Sequence, residues 1–135
     1  MMNTTSIAVT ILSSLVSGIV GVIISATYYR RYDERKLKRD VLQRIVGNRF
    51  FLTDELVNER NKDLFIALNE AFVVFSDSPQ VIAVIRKMHE ELGLPGRVVD
   101  NLVSLIKEMA KASGIKLGEL NDAFIERPFI PRVKN

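Results

Sequence analysis

The sequence predicts an all-α protein in which one N-terminal transmembrane helix continues into a small cytoplasmic helical bundle. Residues 7–27 form a run of 21 without a charged side chain, and a helix of that length spans roughly 30 Å, the thickness of a bilayer core. Apolar residues elsewhere recur every three or four positions, which indicates amphipathic helices. The FVVF run at 72–75 resembles a short strand, but no second strand pattern accompanies it.

Charge divides the chain into a transmembrane anchor at residues 1–29, a juxtamembrane basic helix at 30–48 and a cytoplasmic α-helical domain at 49–135. Residues 30–49 carry eight Lys or Arg against three Asp or Glu, whereas 50–135 carry eleven against thirteen. Bases beside an apolar segment follow the positive-inside rule. We therefore expect the protein in the inner (plasma) membrane, with its N-terminus outside and its C-terminal domain in the cytoplasm.

The apolar segment is expected to be a retained anchor rather than a cleaved export signal. Residues 1–6 contain no Lys or Arg, and the bases follow the apolar run instead of preceding it. All three tyrosines stand at the exit, where aromatic rings favour the lipid headgroups. Membrane lipid is therefore an expected partner, and the predicted interface residues are Tyr28, Tyr29, Arg30, Arg31 and Tyr32.

Small residues follow one side of the predicted span. Helices associate in lipid where small side chains let their backbones approach closely. This pattern predicts a homo-oligomer, whose Ser/Gly face is a candidate pore lining, while the alternative is a generic anchor. The predicted packing residues are Ser14, Ser17, Gly18, Gly21 and Ser25.

The first helix is predicted to leave the membrane without a break, because neither Pro nor Gly occurs between Gly21 and Gly47. Glu34 with Lys38 is an opposite-charge pair four residues apart that supports this helix. An apolar stripe needs a partner, either the rest of the domain or another copy. The stripe consists of Leu37, Val41, Leu42, Ile45 and Val46.

Three more helices are predicted from their start and stop signals. Thr53 is a candidate N-cap for the second helix, Ser78-Pro79 starts the third, and Gly93 and Gly114 end the third and fourth. Their predicted buried residues include Leu56, Leu64, Phe65, Leu68, Phe72 and Phe75, then Val81, Ile82, Ile85, Met88 and Leu92, then Val98, Val99, Leu102, Leu105, Ile106 and Met109. A tail that contains Phe124, Ile125, Phe129 and Ile130 is expected to dock on this core.

Four residues are candidates for binding a ligand or partner. Asn69, with Glu70, is expected to meet Asp77 and Ser78 in a hydrogen-bond network, which is either a structural turn or a binding site. Arg49 and Arg127 are candidates for an anionic ligand or for ordinary ion pairs. His89 is expected to lie on the apolar side of its helix, in a structural role. The candidate binding residues are Arg49, Asn69, Asp77 and Arg127.

The sequence argues against an enzyme. It lacks a phosphate-binding glycine loop, a nucleophile with a matching base and a carboxylate cluster at metal-ligand spacing. The absence of cysteine excludes thiolate catalysis and disulfides, and a single histidine leaves no histidine cluster for metal. We expect no cofactor, no metal and no duplex nucleic acid, because the basic residues lie beside the apolar segment and not on the domain.

The stretches RRYDERKLKRDVLQRIVGNR, LFIALNEAFVVFSDSPQVIAVIRKMHEEL and LVSLIKEMAKASGIKL, with the closing IERPFIP, resemble a bacterial family of unknown function. Its members are small, N-terminally anchored proteins with an α-helical cytoplasmic domain. The resemblance covers most of the chain from Tyr29 onward and implies topology and fold, but no activity.

The architecture is also similar to that of antiviral effectors, among them CRISPR-associated membrane proteins gated by cyclic oligoadenylates. The sequence therefore predicts a self-associating, single-pass membrane protein whose domain binds a partner or a small anionic ligand. A cyclic nucleotide and a protein are the candidate partners. The most specific form of this predicted function is that of an antiviral membrane effector. The alternative is a passive anchor or scaffold for a cytosolic protein.

Overall fold

The structure, a computed structural model, describes residues 3–49, 62–94 and 96–117. These residues form four α-helices, which are α1 (Thr4–Asn48), α2 (Lys62–Val74), α3 (Pro79–Glu90) and α4 (Arg97–Ala112). No strand occurs in this part of the chain. The predicted all-α class is confirmed, and the FVVF run lies at the end of α2 and just beyond it.

Two compact units divide the chain between Glu34 and Arg35. The first unit is the N-terminal part of α1, whose most apolar window has a mean hydropathy of 2.5 and is 0% buried. This helix is long and apolar enough to cross a membrane, a property that a signal sequence near an N-terminus shares. Hydroxyl groups along it donate to the carbonyls of their own helix, as Thr10 Oγ1 does to Ser6 O at 2.9 Å and Thr27 Oγ1 to Ile23 O at 2.8 Å.

The second unit has one hydrophobic core, to which all four helices contribute. The end of α1 supplies Val41, Leu42 and Ile45, so this part of the predicted stripe packs within the domain, whereas Leu37 of the same stripe is exposed. The other buried apolar residues of the described part of the chain are Leu64, Ala67 and Ala71 of α2, Phe75 in the turn after α2, Val81 and Met88 of α3, and Leu102, Val103, Leu105, Ile106, Met109 and Ala110 of α4.

The start of α3 follows the prediction, with Ser78 as N-cap and Pro79 in the first turn. The Ser78 side chain makes no capping bond, and its Oγ donates to Asp77 Oδ1 at 3.2 Å. Gly93, with φ of 104°, lies in the turn after α3.

The C-terminus of α4 closes in a Schellman motif around Gly114, whose φ is 69°. Ile115 N donates to Ala110 O at 2.9 Å, and Gly114 N donates to Lys111 O at 3.1 Å. Ile115 and Leu117, which follow this turn, are partly buried against the core.

Several predicted burial positions are wrong. Phe72 is 53% exposed, and Leu92 and Val99 are also exposed, because each side chain points away from the core. His89 is exposed and does not lie on the buried side of α3. Thr53, Leu56 and the tail with its four apolar residues lie outside the described residues.

Candidate functional site

The small-residue face of α1 is open in this chain. Ser14, Ser17, Gly18, Gly21 and Ser25 are all exposed. A Cβ added at Gly18 or at Gly21 would meet nothing within 4 Å. Ser14 Oγ donates to Ile11 O at 2.9 Å, so this hydroxyl is satisfied within its own helix. A second helix can therefore approach the backbone of α1 closely at this face, and the Ser14 hydroxyl does not need a partner from that helix.

The predicted interface residues lie at the end of the same unit. Tyr28, Tyr29 and Tyr32 are exposed, and the Tyr28 and Tyr29 rings meet edge to face with centroids 6.1 Å apart. Arg30 Nε lies 3.4 Å from Glu34 Oε1, one turn along the helix. Glu34 thus pairs with Arg30, and the predicted pairing of Glu34 with Lys38 is wrong.

Lys38, one of the bases that follow the apolar segment, binds a partner in the domain. Its Nζ donates to Asp77 Oδ1 at 2.8 Å and to Oδ2 at 2.6 Å. The same amine lies 5.6 Å from the centroid of the buried Phe75 ring, within range of a cation–π contact. Asp77, a candidate binding residue, is therefore occupied by an interaction between α1 and the turn after α2.

The pKa of Asp77 is lowered from its usual value of 3.8, chiefly by the hydrogen bond from Lys38. The positive charge of Lys38 and the hydrogen bond from Ser78 favour the ionised carboxylate as well, while slight burial works against it. Asp77 therefore remains ionised at neutral pH and holds Lys38.

Glu70 also pairs with α1, and not with the turn. Arg44 Nη1 donates to Glu70 Oε1 at 3.0 Å, and Arg44 Nη2 lies 2.7 Å from Oε2. The second contact is an ion pair without an aligned hydrogen bond, so the buried Oε2 has charge compensation only. The expected network that joins Asn69 and Glu70 to Asp77 and Ser78 is wrong except for the Ser78–Asp77 bond, because Glu70 and Asp77 bind to different residues of α1.

The three candidate binding residues that the structure describes, Arg49, Asn69 and Asp77, have different surroundings. Arg49 Nη1 donates to Val46 O at 2.8 Å, at the end of α1. Arg49 lies roughly 16 Å along the helix axis from Lys38, and so from Asp77. Asn69 is exposed on α2, and Arg127 lies outside the described residues.

An open groove of about 540 Å³ lies between α1 and α2 within the second unit. Its lining is mainly apolar, with the Arg44–Glu70 pair and Asn69 as the polar groups. We call it the α1–α2 groove, and it is lined by Leu37, Val41, Arg44, Ile66, Asn69, Glu70, Val73 and Val74.

Sequence reasoning missed this groove, although α2 carries a signal for it. The sequence KDLFIALNEAFVV has apolar residues around most of the helix, and a helix of that kind needs more than one apolar neighbour. Ala67 and Ala71 face the core, whereas Ile66 and Val73 face the groove.

The described residues do not meet the requirements of a metal site. No group of three or more His, Asp or Glu side chains there is placed to hold a metal ion. Three of the described side-chain contacts join different elements of the fold, and one of them is the bond from Asn101 Nδ2 to Glu91 Oε2 at 2.7 Å between α4 and the end of α3.

Comparison with family models, curated proteins and solved structures finds no match for this chain. The resemblance to a bacterial family of anchored proteins stays a prediction from the sequence.

Proposed function

We propose that this chain is a single-pass membrane protein that self-associates through its span and holds a small helical domain at the cytoplasmic face. The domain there binds a protein partner or a small anionic ligand. One observation carries the proposal, namely that the apolar window of α1 has no burial within its own chain.

The magnitude of this exposure favours lipid as the environment of the helix. Eleven Ile, Leu and Val side chains between Ile7 and Ile24 are exposed. Burial of each is worth roughly 1.5–3 kcal/mol, so the helix exposes on the order of 20 kcal/mol of apolar surface in water. That exceeds the whole stability of a typical domain, about 5–15 kcal/mol. A helix of a soluble core with this composition would be mostly buried.

The distribution of charge supports the orientation. The five residues that follow Tyr29 include Arg30 and Arg31, and residues 30–49 carry an excess of five positive charges. Cytoplasmic flanks of spans carry this excess of bases. The domain, which begins at Arg35, therefore belongs on the cytoplasmic side.

Self-association is supported by the open face at Gly18 and Gly21. Because lipid removes the hydrophobic drive between helices, their packing depends on close contact at small residues. The groove between α1 and α2 and the paired charges beside it give the domain a surface for a partner. The passive-anchor alternative keeps the span and the domain but needs no contact between spans.

Single-cysteine crosslinking tests the proposal, since the chain contains no cysteine of its own. Ser14→Cys and Ser25→Cys place a thiol on the small-residue face. Leu12→Cys and Ile23→Cys are matched controls, two residues away on the opposite side of the helix. In membranes under mild oxidation, we expect disulfide-linked dimers from the first two variants and few from the controls.

Equal crosslinking on both faces, or none on either, would contradict self-association through this face and leave the passive anchor. Gly18→Leu combined with Gly21→Leu should abolish the Ser14→Cys crosslink, because two large side chains separate the backbones. Replacement of the whole span by an unrelated one should preserve activity only if the anchor is passive. None of the described residues supports the narrower function of an antiviral membrane effector, which stays a prediction.

A further inference from the structure

Helix α2 carries apolar side chains on two of its sides. The residues that it buries in the core are Leu64, Ala67 and Ala71. On the other side larger apolar side chains are open to water, since Ile66 is 44% exposed, Phe72 53% and Val73 70%. A helix with one apolar stripe needs one apolar neighbour, so a helix with two such sides needs a second neighbour.

The exposed side of α2 forms a continuous stripe. On a helix with 3.6 residues per turn, positions 66, 69 and 73 lie within about 60° of one another. We call Ile66, Asn69 and Val73 the α2 face. Leu37 of α1, which is 50% exposed, lines the same groove as these residues, and Phe72 lies further round α2 at the rim. Exposed apolar residues that adjoin one another, instead of standing singly, mark a binding surface.

The α2 face is uncharged, unlike the stretch of α1 in the same unit. Residues 35–49 carry six bases against one acid, so two copies that met through that stretch would bring like charges together. The nearest charge to the α2 face on its own helix is that of Glu70, which is paired with Arg44. Two copies can therefore meet at the α2 face without repulsion, whereas an anionic lipid surface finds no base among its residues.

Asn69 makes the α2 face complementary to its own copy. It is exposed and stands midway between Ile66 and Val73. A two-fold axis through the middle of the face therefore brings Asn69 to the same residue of the second copy, whether the two α2 helices run parallel or antiparallel. A side-chain amide has both a donor and an acceptor, so it can bind another amide of its own kind. A single Asn in an otherwise apolar helix contact also fixes the register of the two helices.

The area of this surface selects a partner that is already held nearby. The α2 face, with Leu37 beside it and Phe72 at its rim, offers on the order of 300 Å² of apolar surface. A stable complex between freely diffusing proteins buries about 800 Å² on each partner. A second copy that is held alongside by its span has a high effective concentration, so a smaller contact is enough to bind it.

We propose that the α2 face binds the α2 face of a second copy of this chain, in a two-fold contact centred on Asn69. This inference rests on the proposed self-association through the span, which supplies the second copy. The oligomer then has a contact in the helical domain in addition to the one in the membrane. Because Ile66, Asn69 and Val73 also line the α1–α2 groove, a molecule that binds in the groove competes with this contact.

Disulfide crosslinking of full-length, single-cysteine variants in membranes tests this proposal. Asn69→Cys should form a disulfide-linked dimer about tenfold or more faster than Val99→Cys, because residues on a two-fold axis have a higher effective concentration. Val99, which is 39% exposed near the start of α4, is the control for chance collisions between chains. Equal rates, or no dimer from Asn69→Cys, would overturn the proposal. A disulfide between Asn69→Cys and a protein of a different mass would overturn it as well.

A second substitution shows whether the apolar residues of the α2 face carry the contact. In Asn69→Cys chains, Val73→Asp should lower the crosslinking rate to that of Val99→Cys, because each copy then places a charge in the apolar contact. Val99→Asp in the same chains should leave the rate unchanged. Val73 and Val99 are both exposed, and the milder Val73→Ser applies the same test if Val73→Asp alters the circular dichroism. A rate that neither Val73 variant changes would overturn the proposal.

The span variants separate this inference from the proposed function. Ser14→Cys reports on the contact between spans, and Asn69→Cys reports on the contact between domains. Crosslinking through Ser14→Cys without Asn69→Cys would overturn the domain contact alone, and crosslinking through neither would overturn both contacts. Crosslinking through Asn69→Cys without Ser14→Cys would support the domain contact and refute the contact between spans.

Discussion

Lys38 joins α1 to the turn that follows α2 through both oxygens of Asp77, at 2.8 and 2.6 Å, and it does so above the ring of Phe75. One amine thereby links α1 to the turn after α2 and lies over Phe75, the largest fully buried side chain among the described residues. A residue of the predicted juxtamembrane basic helix is thus part of the domain's structure.

Removal of this amine should raise the pKa of Asp77. In Lys38→Met, the carboxylate loses its main hydrogen-bond donor and the opposite charge, so its pKa should move up toward 3.8. NMR titration of the Asp77 carboxyl carbon measures the change. Lys36→Met, an exposed lysine two residues away, is the control and should leave the Asp77 titration as in the wild type. An unchanged pKa in Lys38→Met would contradict the contact.

The same pair predicts how stability depends on pH. Because the folded pKa of Asp77 is depressed, its stabilisation is present above about pH 3.8 and is lost as the pH falls through the lowered pKa. The contribution is small, about 0–1 kcal/mol, since Asp77 is largely exposed. Urea unfolding at pH 5 and at pH 3 should therefore show a smaller loss of stability on acidification in Lys38→Met than in the wild type. Equal losses would show that the pair does not contribute.

Two phenylalanines three residues apart should respond very differently to truncation. Phe75 is fully buried, so Phe75→Ala should lower the free energy of unfolding by about 3–5 kcal/mol. Phe72 is 53% exposed, so Phe72→Ala should change it by less than about 0.5 kcal/mol. Urea unfolding followed by circular dichroism measures both. The milder Phe75→Leu keeps the comparison measurable if Phe75→Ala does not fold.

Alanine should have opposite effects at two glycines. Gly114 has φ of 69° in the Schellman turn, so Gly114→Ala should cost about 1–2 kcal/mol of stability. Gly47 lies in the last turn of α1, with nothing within 4 Å of an added Cβ, so Gly47→Ala should stabilise by up to about 0.5 kcal/mol. Thermal unfolding gives the sign directly, and a loss at Gly47 would contradict the helical conformation there.

The proposed topology has a direct labelling test in intact cells that express the protein. A membrane-impermeant maleimide should label Asn3→Cys without permeabilisation, because the N-terminus is proposed to lie outside. Ser76→Cys, an exposed position in the domain, should react only after permeabilisation. Loss of the N-terminal residues from the mature protein would instead identify a cleaved export signal, and labelling of Ser76→Cys in intact cells would reverse the orientation.

The helix boundaries were predictable where backbone chemistry decides them. Pro79 and Gly114 act through their own φ angles, so the start of α3 and the end of α4 follow from single residues. Burial was less predictable, since α2 is apolar on most sides and periodicity alone does not say which side meets the core. Phe72 was therefore assigned to the core and lies outside it.

The polar contacts were harder to predict, because they depend on which helices become neighbours. Glu34, four residues before Lys38, has the spacing of a partner on the same helix. Lys38 instead binds Asp77, which lies 39 residues later in the sequence. The same holds for Arg44 with Glu70 and for Asn101 with Glu91. The spacing of residues along the sequence predicts contacts within one helix, but it does not predict contacts between helices.

The shared core of α1 and α4 has a consequence for synthesis on the ribosome. Ile45 and Met109 belong to the same core cluster, yet at roughly 5–20 residues per second the ribosome adds Met109 on the order of several seconds after Ile45. During that interval the nascent chain carries Val41, Leu42 and Ile45 without their final neighbours. Chaperone binding to this stretch, and its sensitivity to a translational pause before α4, are therefore expected features of the protein's biogenesis.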